Sequence, residues 1–311
     1  MSKMAFVFPG QGSQSVGMGK ELYENNENAR KIYELADATL GYSLSSLCFE
    51  GPEDQLKLTY HTQPAILTTS IALYELFKEH VKKPDYVAGH SLGEYSALVA
   101  AGALSFEEAV ATVSKRGTFM DEAVPAGEGA MAAVLGGERE LIGKICEEVT
   151  LTGQSVQMAN MNCPGQIVIS GTKEGVDEAV LRLKEAGIKR VKLLVVSGPF
   201  HSDLMKPAAS KLARVLEKVE ISTAKVPVVT NADARPAMLG EDIEHALVEQ
   251  VFSPVLWEDS ISWMIGQGVT TFVEIGPGQV LSGLIKKISR EVTIYSVSNL
   301  ETLEATIEQL K

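Results

Sequence analysis

The sequence is poor in cysteine, in basic residues and in long apolar runs. Its three cysteines, Cys48, Cys146 and Cys163, have neither metal-ligand nor redox spacing, so we expect small buried side chains in a reducing compartment. No stretch approaches the roughly 20 apolar residues that cross a bilayer. The apolar run near the N-terminus stops at Pro9 and Gly10, too early for a signal-peptide core. We therefore expect a cytoplasmic protein without a membrane association.

Basic residues are outnumbered, with 28 Lys and Arg against 40 Asp and Glu, and the formal net charge is −12. Such a balance disfavours nucleic acid as a partner, because nucleic-acid binding needs a basic surface. An acidic partner would have to be bound through a local basic patch. The composition is otherwise that of a globular protein, with 45% hydrophobic residues for a large core.

Short apolar segments alternate with helical patterns over most of the chain. We predict a helix over residues 63–77 and another that begins after Ser105, which has capping-box spacing to Glu108. Strands are predicted at residues 5–8, 86–88, 226–229, 271–275 and 293–297. This alternation indicates an α/β class with a largely parallel sheet covered on both faces. In such sheets a functional site lies beyond the carboxyl ends of the strands.

A segment in the middle of the chain has a different order of predicted strands and helices. Gly- and Pro-bearing stretches at residues 125–129 and 197–200 bracket it. Inside it, strands are predicted at 129–135, 155–160, 166–170 and 188–196, with helices at 138–149 and 176–186. The order βαββαβ is typical of ferredoxin-like domains. We predict a large domain of residues 1–125 and 198–311, with a small ferredoxin-like domain of residues 126–197 inserted in it.

Residues 89–93 read Gly-His-Ser-Leu-Gly, with a predicted strand before them and a helical run after them. This G-x-S-x-G pattern between strand and helix is typical of a nucleophile elbow. Ser91 would stand at the tip of the turn, and the amide of Leu92 could donate to a developing oxyanion. The alternative is a serine that only caps a helix, and the strand-turn-helix context favours the nucleophile.

A serine nucleophile needs a base, and the chain has only five histidines. Four are less suitable: His80 and His245 in polar helices, His61 before a helix, and His90 directly beside Ser91. His201 follows a predicted strand and a Gly-Pro turn, where catalytic groups gather, although a buried structural histidine is the alternative. No Asp or Glu is an obvious partner for it, and a backbone carbonyl could orient the ring instead.

Six short motifs follow one another along the chain. They are residues 8–14 (Phe-Pro-Gly-Gln-Gly-Ser-Gln), 62–66 (Thr-Gln-Pro-Ala-Ile), 89–94 (Gly-His-Ser-Leu-Gly-Glu), Arg116, 198–201 (Gly-Pro-Phe-His) and 274–278 (Glu-Ile-Gly-Pro-Gly). Together they closely resemble the malonyl-CoA:acyl carrier protein transacylases, acyltransferases of fatty acid and polyketide synthesis. The resemblance implies an α/β-hydrolase-like large domain and a ferredoxin-like small one.

The resemblance also implies roles for individual residues. Ser91 would carry the acyl group, His201 would be its base, and the main-chain carbonyl of Gln250 would accept a hydrogen bond from His201. The backbone amides of Gln11 and Leu92 would form the oxyanion hole.

The substrate site follows from the same resemblance. Arg116 would bind the free carboxylate of malonate, whereas its spacing alone would fit an ordinary helix residue. Further pocket residues would be Met120, Met131, Asn160 and Asn231, and Phe200 is bulky enough to crowd a methylmalonyl group. No metal and no cofactor are implied, because malonyl-CoA is a substrate and the phosphopantetheine arm belongs to the carrier protein.

Acyl carrier protein would be the acidic partner, and we expect it to dock near basic residues. Candidate patches are Lys189, Arg190 and Lys192, and, after the Gly-Pro-Gly turn, Lys286 and Lys287. Surface charge that only aids solubility is the alternative for both patches. We expect the chain to be a monomer.

Three alternatives share parts of this pattern. A serine hydrolase also has the elbow, but its order is usually Ser, then an acid, then a late His, and it has no need for Arg116. A binding module without activity would not need Ser91, His201 and Arg116 together. A transferase of polyketide synthesis would keep the same chemistry, and a discrete chain with one activity favours fatty acid synthesis.

Overall fold

The computed structural model describes residues 2–311. Within them the chain forms ten strands in two sheets. The strands are β1 (Lys3–Phe8), β2 (Tyr86–Gly89), β3 (Gly129–Leu135), β4 (Val156–Cys163), β5 (Gln166–Thr172), β6 (Arg190–Leu193), β7 (Val228–Val229), β8 (Pro236–Ala237), β9 (Val269–Ile275) and β10 (Thr293–Val297).

Fourteen α-helices accompany these strands in the described residues, with a 3₁₀ turn at Asp203–Met205. They are α1 (Lys20–Asn25), α2 (Glu27–Leu40), α3 (Leu44–Glu50), α4 (Glu53–Leu56), α5 (Thr59–Phe77), α6 (Gly93–Ala100), α7 (Phe106–Glu122), α8 (Arg139–Leu151), α9 (Lys173–Glu185), α10 (Lys206–Leu216), α11 (Gly240–Gln250), α12 (Trp257–Gly266), α13 (Val280–Ile288) and α14 (Leu300–Leu310). No helix among residues 2–311 combines the length and apolar character that a bilayer crossing requires.

The large sheet has six strands in the order β10-β9-β1-β2-β7-β8. The first five pair in parallel, and only the short β8 runs antiparallel to its neighbour. β1 is almost fully buried because helices cover both faces of the sheet, as continuous apolar strands predict. One apolar cluster includes Phe6, Phe8 and the inner faces of α5, α6 and α7, and the other packs Ala5 and Val7 against α12 and α13. The predicted α/β class with a mostly parallel sheet is confirmed.

The second sheet has four antiparallel strands in the order β4-β5-β3-β6. Helices α8 and α9 cover one of its faces and share an apolar cluster with it. The chain order is therefore β3-α8-β4-β5-α9-β6, which is the predicted βαββαβ arrangement. The boundaries of a separate small domain, at residues 126 and 197, stay a prediction.

A short backbone contact joins the small sheet to the rest of the chain. The amide of Val255 donates to the carbonyl of Ala159 at 2.8 Å, and the amide of Met161 donates to the carbonyl of Val255 at 2.9 Å. Asn160 lies between these two bonds and forms a bridge with Val255. The edge strand β4 is thereby held beside the carboxyl ends of the large sheet.

Candidate active site

Ser91 occupies a sharp turn between β2 and α6. Its backbone φ is 51°, a left-handed conformation that non-glycine residues rarely adopt. The turn depends on its two glycines: a Cβ on Gly89 would lie 1.9 Å from the carbonyl carbon of Gly93, and a Cβ on Gly93 would lie 2.1 Å from the carbonyl oxygen of Phe8. The sequence pattern thus has a steric cause, and it leaves the Ser91 side chain at the first turn of α6.

His201 is hydrogen-bonded to Ser91. The Ser91 Oγ and the His201 Nε2 are 2.8 Å apart, and the His201 Nδ1 is 2.7 Å from the main-chain oxygen of Gln250. If Nδ1 donates its proton to that carbonyl, then Nε2 is free to accept the Ser91 proton. The neighbour of Nδ1 in the structure is therefore a backbone carbonyl and not a carboxylate.

The path that brings His201 to Ser91 differs from the prediction. The predicted strand 188–196 is only Arg190–Leu193 in the structure, and an irregular stretch follows it. His201 therefore does not lie at the carboxyl end of a strand. It has a φ of 55° and is only 4% exposed, so tertiary packing holds its position.

The surroundings of His201 favour the neutral ring. Burial, followed by the positive charge of Arg116, lowers the pKa of His201 to about 3. The ring is then unprotonated at neutral pH and able to accept a proton.

Arg116 is fully buried on α7 and reaches the nucleophile. Its Nη1 donates to Gln63 Oε1 at 2.8 Å, and its Nη2 donates to Gln250 Oε1 at 2.9 Å and to Ser91 Oγ at 3.2 Å. All three acceptors are uncharged oxygens, and among the described residues Arg116 Nε has no hydrogen-bond partner. Burial lowers the pKa of Arg116, which remains a cation at neutral pH because its ordinary pKa is so high.

Close helix packing explains this placement of Arg116. A Cβ on Gly117 would lie 2.6 Å from the Cα of Tyr60, so the glycine permits α5 and α7 to cross in contact. The crossing brings Gln63 of α5 beside Arg116 of α7. The predicted cap of α7 is present as well, since the Ser105 side chain accepts from the Glu108 amide at 3.2 Å.

A cavity of about 140 Å³ opens at these groups. Most of the predicted site residues line it: Gln11, Ser91, Leu92, Arg116, Met120, Met131, Asn160, Phe200 and His201. A larger groove of about 590 Å³ lies beside α8 and contains none of them. The chemistry therefore assigns the site to the smaller cavity.

The loop that carries Gln11 packs directly on the nucleophile turn. A Cβ on Gly10 would lie 2.3 Å from the carbonyl oxygen of His90, so only glycine permits this approach. Gln11 and Leu92 consequently line the same cavity as Ser91, from two different loops.

Asn231 is predicted as a pocket residue, but it lies behind the nucleophile and does not line the cavity. Its Oδ1 accepts from the Ser91 amide at 2.7 Å, and its Nδ2 donates to the carbonyl of Gly89 at 2.7 Å. These two bonds hold the strained turn from below. Asn231 thus supports the position of Ser91.

Residues 5–304 match the family model of the acyl transferase domain. The chain is 59% identical to the malonyl CoA-acyl carrier protein transacylase of Bacillus subtilis (strain 168), over 100% of this chain and 98% of the relative. The chain belongs to the acyltransferase family. The resemblance indicated by the six motifs is confirmed.

Solved acyltransferase structures have the same fold. The malonyl CoA-acyl carrier protein transacylase of Coxiella burnetii superposes with a TM-score of 0.96 at 44% identity, over 99% of this chain and 98% of that one. A malonyl-transacylase solved in complex with a type II polyketide synthase acyl-carrier protein gives a TM-score of 0.96 at 45% identity, over 99% of this chain and all of that one.

Four residues of the cavity lining were not predicted individually. His90, Gln63, Leu194 and Val196 line the cavity, and His90 Nε2 lies 2.8 Å from Asn162 Oδ1 on β4. Gln63 and His90 belong to recognised motifs, but nothing in their spacing distinguishes a cavity residue from a packed one. Leu194 and Val196 lie in the irregular stretch that was predicted as a strand.

The remaining histidines make no contact with Ser91. The side chain of His61 bonds to the carbonyl of Gln55, and His245 lies beside Glu249 on the surface. Within residues 2–311, no three His, Cys, Asp or Glu side chains group closely enough to hold a metal ion.

Proposed function

We propose that the protein transfers the malonyl group of malonyl-CoA to the phosphopantetheine thiol of acyl carrier protein, through a malonyl ester on Ser91. The observation that carries this proposal is the Arg116 guanidinium, which is buried beside Ser91 and has only uncharged hydrogen-bond partners. A buried cation is stabilised when an anion binds to it. The carboxylate of a malonyl group is such an anion.

The first half-reaction acylates the serine. His201 takes the Ser91 proton as the oxygen attacks the thioester carbonyl, and the amides of Gln11 and Leu92 donate to the resulting oxyanion. The tetrahedral intermediate then collapses, the carbon–sulfur bond breaks, and His201 returns its proton to the departing CoA thiol. Malonyl-Ser91 remains.

The second half-reaction reverses these steps with a new thiol. The phosphopantetheine thiol gives its proton to His201 and attacks the ester, and Ser91 leaves with that proton. Both half-reactions share one site, so ping-pong kinetics are expected. No cofactor or metal is required, since CoA and the phosphopantetheine arm belong to the substrates.

Selection of malonyl over acetyl groups follows from the geometry at Arg116. A guanidinium has five N–H donors, and the three hydrogen bonds observed here leave further donors, including Nε, for a carboxylate. An acetyl group would leave the buried cation without an anion in direct hydrogen-bond contact. Phe200 is 7% exposed on the cavity wall, where it would crowd the extra methyl of a methylmalonyl group.

Acyl carrier protein is the proposed acceptor, and two clusters of exposed basic residues are its proposed docking sites. Lys189, Arg190 and Lys192 are exposed on and beside β6, and the chain after β6 contributes Leu194 to the cavity wall. Lys286 and Lys287 are exposed at the end of α13. An acidic carrier would be attracted to either patch despite the net negative charge of the chain.

We place the reaction in the cytoplasm, in fatty acid synthesis, and expect a monomer with a small domain at residues 126–197. The three cysteines are free and buried, as is usual in a reducing compartment. The small domain would contribute Met131 and Asn160 to the substrate cavity, on β3 and β4.

Intact mass spectrometry tests the proposal directly. The protein is incubated with malonyl-CoA or acetyl-CoA, and its mass is measured before and after addition of a carrier protein. We expect a malonyl adduct on Ser91 that the carrier discharges, no adduct with Ser91→Ala, and much less adduct from acetyl-CoA. Steady release of CoA into water, without an adduct or transfer, would identify a hydrolase and refute the proposal.

A further inference from the structure

Glu94 is a buried carboxylate with no role in the reaction described above. It lies in the first turn of α6 and is 1% exposed. Its Oε2 accepts from the Asn231 amide at 2.8 Å and from Gln250 Nε2 at 3.0 Å. A carboxylate is costly to bury, so its surroundings must compensate it.

Gln250 connects this carboxylate to Arg116. Its Nε2 lies among three oxygens: Glu94 Oε2, Asn231 Oδ1 at 3.2 Å and the main-chain oxygen of Ser91 at 3.0 Å. Its Oε1 faces the opposite way and accepts from Arg116 Nη2 at 2.9 Å.

Only one orientation of the Gln250 amide suits both neighbours. If the amide were turned over, its oxygen would face the carboxylate and its NH₂ group would face the guanidinium, and both contacts would be repulsive. The ionised Glu94 is the strongest of the three acceptors around Gln250 Nε2, and with the Ser91 carbonyl and Asn231 Oδ1 it holds the orientation that offers an oxygen to Arg116. The amide in turn fixes the guanidinium beside Ser91.

We propose that Glu94 is a positioning residue for acyl-group selection, because it holds the Gln250 side chain in the orientation that places Arg116 for a substrate carboxylate. This inference rests on the proposed function. Glu94 touches neither the acyl group nor the reacting atoms, and it acts through Gln250 and Arg116.

The charge balance of the site supports this assignment. Burial raises the pKa of Glu94 to about 7, while the Asn231 amide, Gln250 and Arg116 each act to lower it. Glu94 likewise favours the charged form of Arg116. The ionised form of Glu94, which predominates above about pH 7, interacts with Arg116 across the Gln250 amide, and Arg116 keeps its own donors for the substrate.

The test is Glu94→Gln, which keeps the size of the side chain and removes its charge. The charge-assisted bond from Gln250 Nε2 is then lost, and only the Ser91 carbonyl and Asn231 Oδ1 hold the amide, so Arg116 has a less firmly fixed partner. We expect kcat/KM for malonyl-CoA to fall about tenfold or more, the range for a lost hydrogen bond to a charged group. The value for acetyl-CoA should change less than about threefold, because acetyl has no carboxylate.

Two further variants separate positioning from a general structural effect. In an Arg116→Ala background, Glu94→Gln should leave the malonyl-to-acetyl ratio unchanged, because the two residues act on one interaction. Ser96→Ala is the matched control: Ser96 is fully buried on the same helix, and its hydroxyl has no partner within residues 2–311. We expect Ser96→Ala to keep the wild-type ratio.

If Glu94→Gln does not fold, Gln250→Met replaces it, since it removes the amide and keeps the main-chain carbonyl that His201 uses. We expect the same fall in the ratio of kcat/KM for malonyl-CoA to kcat/KM for acetyl-CoA. An equal fall for both substrates, an unchanged ratio, or full additivity with Arg116→Ala would overturn the inference. A wild-type protein without malonyl preference would instead refute the proposed function.

Discussion

Replacing Arg116 by alanine removes a guanidinium from the described cavity lining, where we propose that it binds the malonyl carboxylate. The side chain is 1% exposed and lies 3.2 Å from Ser91 Oγ, so its loss acts at the point where the acyl group is held. Arg116→Ala should therefore reduce malonyl transfer far more than acetyl transfer.

The size of the effect follows from the burial of Arg116. Removing one partner of a buried charge pair costs about 3–5 kcal/mol. At about 1.4 kcal/mol per tenfold change, kcat/KM for malonyl-CoA should fall by a factor of about 10² to 4 × 10³. Acetyl-CoA has no carboxylate that Arg116 could bind, and the loss at the reacting serine is a single contact of 3.2 Å, so its kcat/KM should fall less than about tenfold.

The assay compares the rates of CoA release with the two substrates and a carrier protein as acceptor. Arg116→Lys is the informative companion, because it keeps the charge but loses the planar, two-pronged geometry, and its malonyl activity should be intermediate. A thermal melt of each variant controls for folding. An equal loss of malonyl and acetyl transfer in Arg116→Ala, with folding intact, would refute the role of Arg116.

Three further predictions concern the cavity wall, the base and the docking surface. Phe200→Ser should relax discrimination against methylmalonyl-CoA by about tenfold, since one methyl is worth about 1–3 kcal/mol in a pocket, and an unchanged ratio would exclude Phe200 as the cause. Burial and Arg116 hold the pKa of His201 near 3, so kcat/KM for acetyl-CoA should begin to fall only below pH 6.5. In Arg116→Ala this fall should move to higher pH. A fall that begins at or above pH 6.5 in the wild type would contradict the prediction. The unfolded chain protonates this histidine near pH 6.5 and the folded chain does not, so His201 should also lower the free energy of unfolding as the pH falls from about 6.5 towards 3. Charge reversal at Lys286 and Lys287 should raise the KM for carrier protein and leave acylation by malonyl-CoA unchanged, and unaltered transfer would place docking elsewhere.

Local sequence patterns predicted the structure correctly where the conformation of a segment depends on residues within that segment. The strands at Gly129–Leu135 and Thr293–Val297 have the predicted bounds. The turn at Ser91 was predictable because its two glycines meet steric demands within a few residues of it. The predicted strand 226–229 is shorter, with only Val228–Val229 paired in the sheet, and Pro227 beside it has no amide proton to donate.

Features that depend on tertiary contacts could not be predicted from the sequence. The polar cluster behind Ser91 joins Glu94, Asn231 and Gln250, which are far apart in the chain, and no periodicity connects them. Asn231 was expected on the cavity wall and lies beneath the turn instead. The helix predicted at residues 63–77 begins earlier, at Thr59, and it includes Pro64 near its start.

The main-chain carbonyl of Gln250, which lies beside His201 Nδ1, has a consequence for which substitutions can alter this site. Gln250 is the last residue of α11, so its carbonyl is one of the four at a helix end that no later amide of the helix satisfies. The helix macrodipole places partial negative charge there, which suits a ring that becomes a cation during the reaction. Because the group belongs to the backbone, every residue type at position 250 supplies it, and substitution of side chains alone cannot delete it. In a mutational scan, an effect at position 250 would therefore report the side-chain amide that contacts Arg116, and not the carbonyl that accepts from His201.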